Sequence, residues 1–94
     1  MIPKNAMFVL RGVKPHAKME SDEGFVSTVR NWRCEQYFSH SEQDAAETMY
    51  ADWLSAGVRH VTLTAVTWNG KFWRFNGEKY ISLLSWERQQ KAAA

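Results

Sequence analysis

The sequence predicts an α+β domain in which one amphipathic helix packs on one face of a small antiparallel sheet of about five strands. Three observations lead to this fold class. An apolar stripe with helical spacing is confined to residues 45–54, β-branched and aromatic runs lie on both sides of it, and two Asn-Gly pairs divide the last of these runs. The expected order is strand, strand, helix, strand, strand, strand, because a helix on a sheet covers such a stripe.

Two strands are expected before the helix. Residues 7–11 form a short apolar run that ends at Gly12, and residues 25–38 form a longer segment rich in β-branched and aromatic side chains. The polar stretch 13–24 contains Pro15 and an acidic cluster, which indicates an exposed loop. Residues 1–6 are expected to fray, and the whole chain, 1–94, to form a single domain.

The helix has clear start and stop signals. Ser39 precedes Glu42 by three residues and Ser41 precedes Asp44 by three, a spacing typical of a capping box. Gly57 can adopt the positive φ that ends a helix. The helical apolar stripe consists of Ala45, Ala46, Met49, Tyr50, Trp53 and Leu54.

Three strands follow as a meander, over residues 59–68, 71–75 and 78–84. Asn69-Gly70 and Asn76-Gly77 each predict a two-residue type I′ turn between them. A last helical turn or two is expected within residues 85–92, with residues 88–94 fraying.

Two-residue turns fix which side chains share a face. They place Val66 opposite Trp73 and Thr64 opposite Phe75, and the same face then holds Tyr80. The predicted aromatic face consists of Thr62, Thr64, Val66, Trp68, Lys71, Trp73, Phe75, Glu78 and Tyr80. The predicted aliphatic face consists of Val61, Leu63, Ala65, Phe72, Arg74, Lys79, Ile81 and Leu83.

If the helix covers the aliphatic face, the aromatic face is exposed, and exposed aromatic patches mark interaction sites. The candidate partner-binding residues are then Trp68, Lys71, Trp73, Phe75 and Tyr80. The alternative is that the aromatic face is itself the core beneath the helix. A bulge or another turn register would also change the face assignment.

Composition narrows the function classes. The 12 basic and 10 acidic residues give a net charge of +2, which is too near neutral for a DNA-coating protein or for an acidic mimic of nucleic acid. The single cysteine, Cys34, cannot form an internal disulfide, and the sequence shows neither a signal peptide nor a membrane-spanning apolar run. We therefore expect a cytoplasmic protein without a membrane association.

No catalytic residue, metal site or cofactor is predicted. His16, Cys34, His40 and His60 are scattered singly, without the spacing of metal ligands or of a nucleophile with its base. The glycines do not form a phosphate-binding loop. The sequence therefore favours a non-enzymatic binding protein.

Two further binding hypotheses remain open. Lys71, Arg74 and Lys79 flank the sheet aromatics, as in a platform where bases of single-stranded nucleic acid stack on rings and cations meet phosphates. Alternatively, the aromatic faces of two copies meet in a homodimer.

Between residues 25 and 84, the chain resembles small bacteriophage or prophage accessory proteins, among them anti-CRISPR and other host-nuclease inhibitors. The resemblance lies in the Ser-x-x-Glu helix with Ala45 and Ala46, in Gly57-Val58 and in the hairpin 66–73. It implies a protein that binds a bacterial nuclease or defence complex in the host cytoplasm and blocks it without chemistry.

Overall fold

The computed structural model describes residues 2–83. The strands are β1 (Met7–Glu20), β2 (Val26–Phe38), β3 (Arg59–Val66), β4 (Phe72–Phe75) and β5 (Tyr80–Ser82); a 3₁₀ turn (His40–Glu42) and helix α1 (Gln43–Ser55) connect β2 to β3. The five strands form one sheet in the order β2-β1-β3-β4-β5, and every neighbouring pair is antiparallel. The predicted fold class and element order are confirmed. Within residues 2–83, no helix has the length and apolarity to cross a membrane.

The predicted capping box at Ser39 starts the 3₁₀ turn that leads into α1, and the helix ends at its predicted stop signal. The backbone N–H of Ser39 donates a 2.8 Å hydrogen bond to the Glu42 carboxylate, and the Ser39 hydroxyl donates a second of 2.9 Å. These bonds lower the pKa of Glu42. At the other end Gly57 has φ +83°, and the N–H of Val58 donates to the carbonyl of Trp53 at 3.0 Å. This is a Schellman ending, which satisfies carbonyls that the helix leaves unpaired.

The predicted loop at residues 13–24 is wrong for most of its length. Strand β1 continues to Glu20 and stays paired with β2 as far as the Glu20–Val26 pair. Only residues 21–25 turn, with Gly24 at φ +85° and its N–H donating to the Ser21 carbonyl at 2.9 Å. The polar composition of this stretch reflects a hairpin with much exposed surface, because paired backbone does not require apolar side chains.

Part of the segment 1–6, which was expected to fray, packs on the rest of the fold. Ile2 packs against the core, Ala6 is buried, and the Ala6 N–H donates to the Pro3 carbonyl at 3.0 Å. The helical turns predicted within 85–92 and the fraying predicted for 88–94 lie outside the described residues.

The core lies between α1 and one face of the sheet. Met49, Tyr50 and Trp53 of the helix pack against a buried cluster that consists of Phe8, Leu10, Phe38, Ala46, Leu63, Ala65 and Phe75. Apolar burial of this kind is the main driving force for folding.

A polar contact ties the helix to the edge strand β5. The Tyr80 hydroxyl donates a 2.9 Å hydrogen bond to Glu47 Oε2, and Gln43 Nε2 donates to the same oxygen at 2.9 Å. Burial raises the pKa of Tyr80, and the hydrogen bond to the Glu47 carboxylate raises it further.

Gly12 allows the helix end to approach β1 closely. A Cβ at this position would lie 2.6 Å from Val58 Cγ1 and 3.2 Å from Trp53 Cε3. Glycine in a strand otherwise destabilises it relative to alanine by about 0.5–1 kcal/mol, so this close approach is the physical reason for the residue.

We expect Gly12→Ala to lower the free energy of unfolding by about 1–3 kcal/mol, because the added methyl group overpacks the contact with Val58. Urea unfolding of Gly12→Ala, of Val58→Ala and of the double variant measures this free energy. In the Val58→Ala background the cost of Gly12→Ala should fall, since the clashing methyl group is gone. An equal cost in both backgrounds would contradict the contact.

The raised pKa of Tyr80 predicts a loss of stability at alkaline pH. The folded protein keeps the phenol proton that the unfolded chain releases above its ordinary pKa of 10.0, so the free energy of unfolding should decline as pH rises beyond that value. Tyr80→Phe should flatten the decline, because the variant has no phenol proton at this position. Urea midpoints measured across this pH range test it, and superimposable curves for the protein and Tyr80→Phe would refute it.

Candidate functional site

The register of the β3–β4 hairpin decides which side chains face the helix. Ala65 lies opposite Trp73 and Val66 opposite Phe72. The prediction that Val66 lies opposite Trp73 is therefore wrong by one residue. Because strand side chains alternate between faces, this single step exchanges the faces of β4 relative to β3.

The hairpin loop has three residues instead of two. The Thr67 N–H donates to the Lys71 carbonyl at 3.0 Å, which closes the loop around Trp68, Asn69 and Gly70. Gly70 has φ +88°, while Asn69 does not share the positive φ that a type I′ turn requires at both central residues. Within this loop the buried Thr67 hydroxyl is fully paired, since it accepts the Lys71 N–H at 3.1 Å and donates to Asn69 Oδ1.

The β4–β5 connection also differs from the prediction, but by an even number of residues. Phe75 pairs with Tyr80, so residues 76–79 form a four-residue loop in which the Asn76 side chain accepts the N–H groups of Glu78 and Lys79 at 2.9 Å each. A shift of two residues leaves side-chain direction unchanged. The prediction that Trp73, Phe75 and Tyr80 share a face is confirmed.

That shared face is the core beneath the helix, so the predicted exposure of these rings is wrong. Phe75 is 8% exposed and makes an edge-on contact with Tyr50, at a centroid distance of 5.3 Å. Trp73 and Tyr80 are half-buried against the same cluster. The alternative, in which the helix covers the predicted aromatic face, holds for β4 and β5 only. On β3 the helix covers Leu63 and Ala65, whereas Thr64 and Val66 lie on the opposite face.

The remaining predicted site residues do not form one surface with these rings. Trp68 is 87% exposed in the hairpin loop, and Lys71 is exposed at the end of that loop. Arg74 lies on the opposite face of β4 from Trp73, and Lys79 lies in the β4–β5 loop. The structure therefore does not bring Lys71, Arg74 and Lys79 together around the sheet aromatics.

The face of the sheet opposite α1, here called the helix-free face, is the candidate site. It contains a shallow depression of about 390 Å³, lined by Met7, Val9, Arg11, Tyr37, Thr64, Val66, Phe72, Arg74 and Leu83. Phe72 is 43% and Tyr37 57% exposed. Antiparallel sheets with one covered face usually turn polar side chains to water, so this apolar floor is unusual.

Polar groups hold the side chains at the rim of the depression. Arg11 Nε donates to Glu35 Oε2 at 2.8 Å, and the Tyr37 hydroxyl donates to the other oxygen of Glu35. On the far side Arg74 Nε donates to Thr64 Oγ1 at 3.2 Å. An exposed ion pair contributes at most about 1 kcal/mol to stability, so its main consequence is to orient Arg11 and Tyr37.

Within residues 2–83, the His, Cys, Asp and Glu side chains form no group of three that could hold a metal ion. Cys34 is half-buried on β2, opposite Gly12, with its Sγ 3.7 Å from the Trp32 carbonyl oxygen.

The arrangement of the helix-free face suits binding, since its polar groups satisfy one another around an apolar centre.

Comparison of the chain with protein families, with curated proteins and with solved structures finds no match. The resemblance to phage accessory proteins therefore stays a prediction.

The corrected faces predict opposite effects for two aromatic residues that the sequence placed together. Phe75→Ala should lower the free energy of unfolding by about 3–5 kcal/mol, because it leaves a cavity beneath the helix. Trp68→Ala should change it by no more than about 0.5 kcal/mol, because the ring is exposed. Urea and thermal unfolding measure both. A larger cost for Trp68→Ala than for Phe75→Ala would contradict the register.

Proposed function

We propose that this is a non-enzymatic binding protein that docks on a protein partner through the helix-free face. The observation that carries the proposal is the exposed Phe72 ring beside the apolar depression, on a sheet face that no helix of the described residues covers. Water contact with such surface costs about 25 cal/mol per Å², and docking recovers that free energy.

The side chains on this face are those enriched in protein interfaces. Met7, Phe72 and Tyr37 supply apolar and aromatic area, and Arg11 and Arg74 are the charged residues that line the depression. Protein interfaces favour Tyr, Phe, Met and Arg over Lys, Glu and Asp, none of which lines the depression. This composition favours a protein partner over a nucleic acid, for which lysine is a common phosphate ligand.

The rigidity of the sheet also supports docking. The floor of the depression lies on β1 and β3, which pair with each other in the interior of the sheet. Arg11, Tyr37 and Arg74 are held by hydrogen bonds. Binding to a preorganised surface loses less conformational entropy, and more of the contact free energy then appears as affinity.

The resemblance to phage accessory proteins supports a bacterial nuclease or defence complex as the partner. A chain that covers a working surface of such a complex blocks it sterically and needs no chemistry of its own. The candidate inhibitor would then act in the host cytoplasm.

Substitutions on the helix-free face should abolish capture of the partner without unfolding the protein. Phe72→Ala with Tyr37→Ala removes two exposed rings, and loss of central aromatic contacts lowers affinity by about 30-fold or more. Leu54→Ala is the matched control, because Leu54 is an exposed apolar side chain on the helix. The experiment selects proteins from bacterial lysate that bind the unmodified chain and the control but not the double variant. Each selected protein is then purified, and its affinity for all three chains is measured by titration.

Melting temperatures of all variants show whether lost capture reflects lost folding. Retention of the same purified partner by the double variant with unchanged affinity would refute the proposal. Light scattering tests whether the face binds a second copy of the chain instead. A dimer that dissociates on Phe72→Ala with Tyr37→Ala would assign this face to a homodimer and not to a different protein. Trp68→Ala reports separately whether the hairpin loop belongs to the interface.

A further inference from the structure

The β1–β2 hairpin extends beyond the rest of the sheet. Strand β3 pairs with β1 only between Met7 and Val13, whereas β2 pairs with β1 as far as Glu20. Residues 14–20 and 26–32 therefore form a two-stranded ribbon, and seven residues at about 3.3 Å each give it a length of about 23 Å. The molecule accordingly measures 47 Å along its longest axis and 23 Å along its shortest.

One face of this ribbon is basic and carries an indole ring. Lys14, His16 and Lys18 alternate along β1 and so share a face. Pairing places Trp32, Arg30 and Thr28 directly opposite them, in that order, on the same face. These six residues are here called the basic ribbon face. All six are exposed, Trp32 by 41%, and Glu20, which pairs with Val26, follows them along β1 at the end of the ribbon.

Packing and ion pairing do not account for these side chains. Among the side chains that the structure describes, the only salt bridge is Arg11–Glu35, which involves none of the cations of the basic ribbon face. Trp32 lies outside the buried core cluster. Cations that alternate along a strand beside an accessible indole match a surface on which bases stack and phosphates meet positive charge.

The acidic residues of the hairpin turn and of the helix restrict how a nucleic acid can lie on the ribbon. Asp22 and Glu23 are exposed in the turn at the tip of the ribbon, so insertion into a duplex groove would press them against phosphates. Residues 40–55 include four acidic side chains and no Lys or Arg, which keeps a polyanion away from the helix. A flexible single strand can lie along the stem of the ribbon and avoid both regions.

We propose that the basic ribbon face binds single-stranded nucleic acid, with Trp32 stacking on a base and Lys14, Lys18 and Arg30 contacting phosphates. This inference stands independently of protein docking on the helix-free face. The three cations span only a few residues along the two strands, so the footprint is short and the affinity depends strongly on salt.

Fluorescence anisotropy with short labelled oligothymidine and oligouridine tests the inference. Both should bind at low salt, and three phosphate contacts to a single strand give a slope of about −2 for log K against log salt concentration. Trp32→Ala should lower the affinity about tenfold or more through lost stacking. Lys14→Gln with Arg30→Gln should lower it further and reduce the slope to about −0.7, the value for one remaining contact.

The chain offers matched controls outside the ribbon. Trp68→Ala removes a more exposed indole and Lys71→Gln an exposed cation, and both should leave the affinity unchanged. Phe72→Ala with Tyr37→Ala should also leave it unchanged, which separates this inference from the proposed docking. If Trp32→Ala fails to fold, Lys14→Gln with Arg30→Gln tests the inference instead, because both side chains are exposed and their replacement should not unfold the protein.

Four outcomes would overturn the inference. They are the absence of binding at low salt, equal affinity for a blunt duplex of the same length, equal losses in the Trp68 and Lys71 controls, and binding to vesicles of anionic lipid without binding to either oligonucleotide.

Discussion

One helix can cover only one part of one face of a five-stranded sheet. Helix α1 has 13 residues and is about 20 Å long at 1.5 Å per residue. Five strands about 4.8 Å apart, of which β1 has 14 residues, span a much larger area. The helix therefore covers the centre of one face. Among the described residues, the opposite face and the β1–β2 ribbon remain outside the core. Both proposed binding surfaces follow from this mismatch in area.

The length of one turn selects which side chains enter the core. Leu63 and Ala65 lie beneath the helix, and the three-residue loop brings Trp73 and Phe75 to the same side. A two-residue loop would have turned Phe72 inward instead and left Phe75 in water. The three-residue loop is closed by the buried Thr67, whose hydroxyl pairs with the Lys71 N–H and with Asn69 Oδ1. Local hydrogen bonds within one loop thus accompany the arrangement of both sheet faces.

These dependencies explain how far the sequence could predict the structure. The helix, its caps and the fold class follow from local signals, which act within a few residues of Ser39 and Gly57. The side of the sheet that faces water depends on the parity of a loop, and Asn69-Gly70 fits a two-residue and a three-residue loop alike. Much of the ribbon is exposed, so its strands lack the apolar alternation by which strands are recognised. Tyr37, Phe72 and Trp32 therefore could not be assigned to surfaces before the pairing was known.

A net charge near zero also conceals how the charges are arranged. The helical segment 40–55 is acidic, whereas residues 14–18 and 28–32 of the ribbon include Lys14, Lys18 and Arg30 and no acidic residue. The basic ribbon face lies on the side of β1 that holds Leu10 and Gly12, so a partner that presents both a protein surface and a bound single strand would reach it around the edge of the sheet from the helix-free face. The second contact would then be intramolecular, so even a weak ribbon interaction would add substantially to the total affinity. A nucleic-acid enzyme engaged with its substrate is the class of partner that combines the two surfaces.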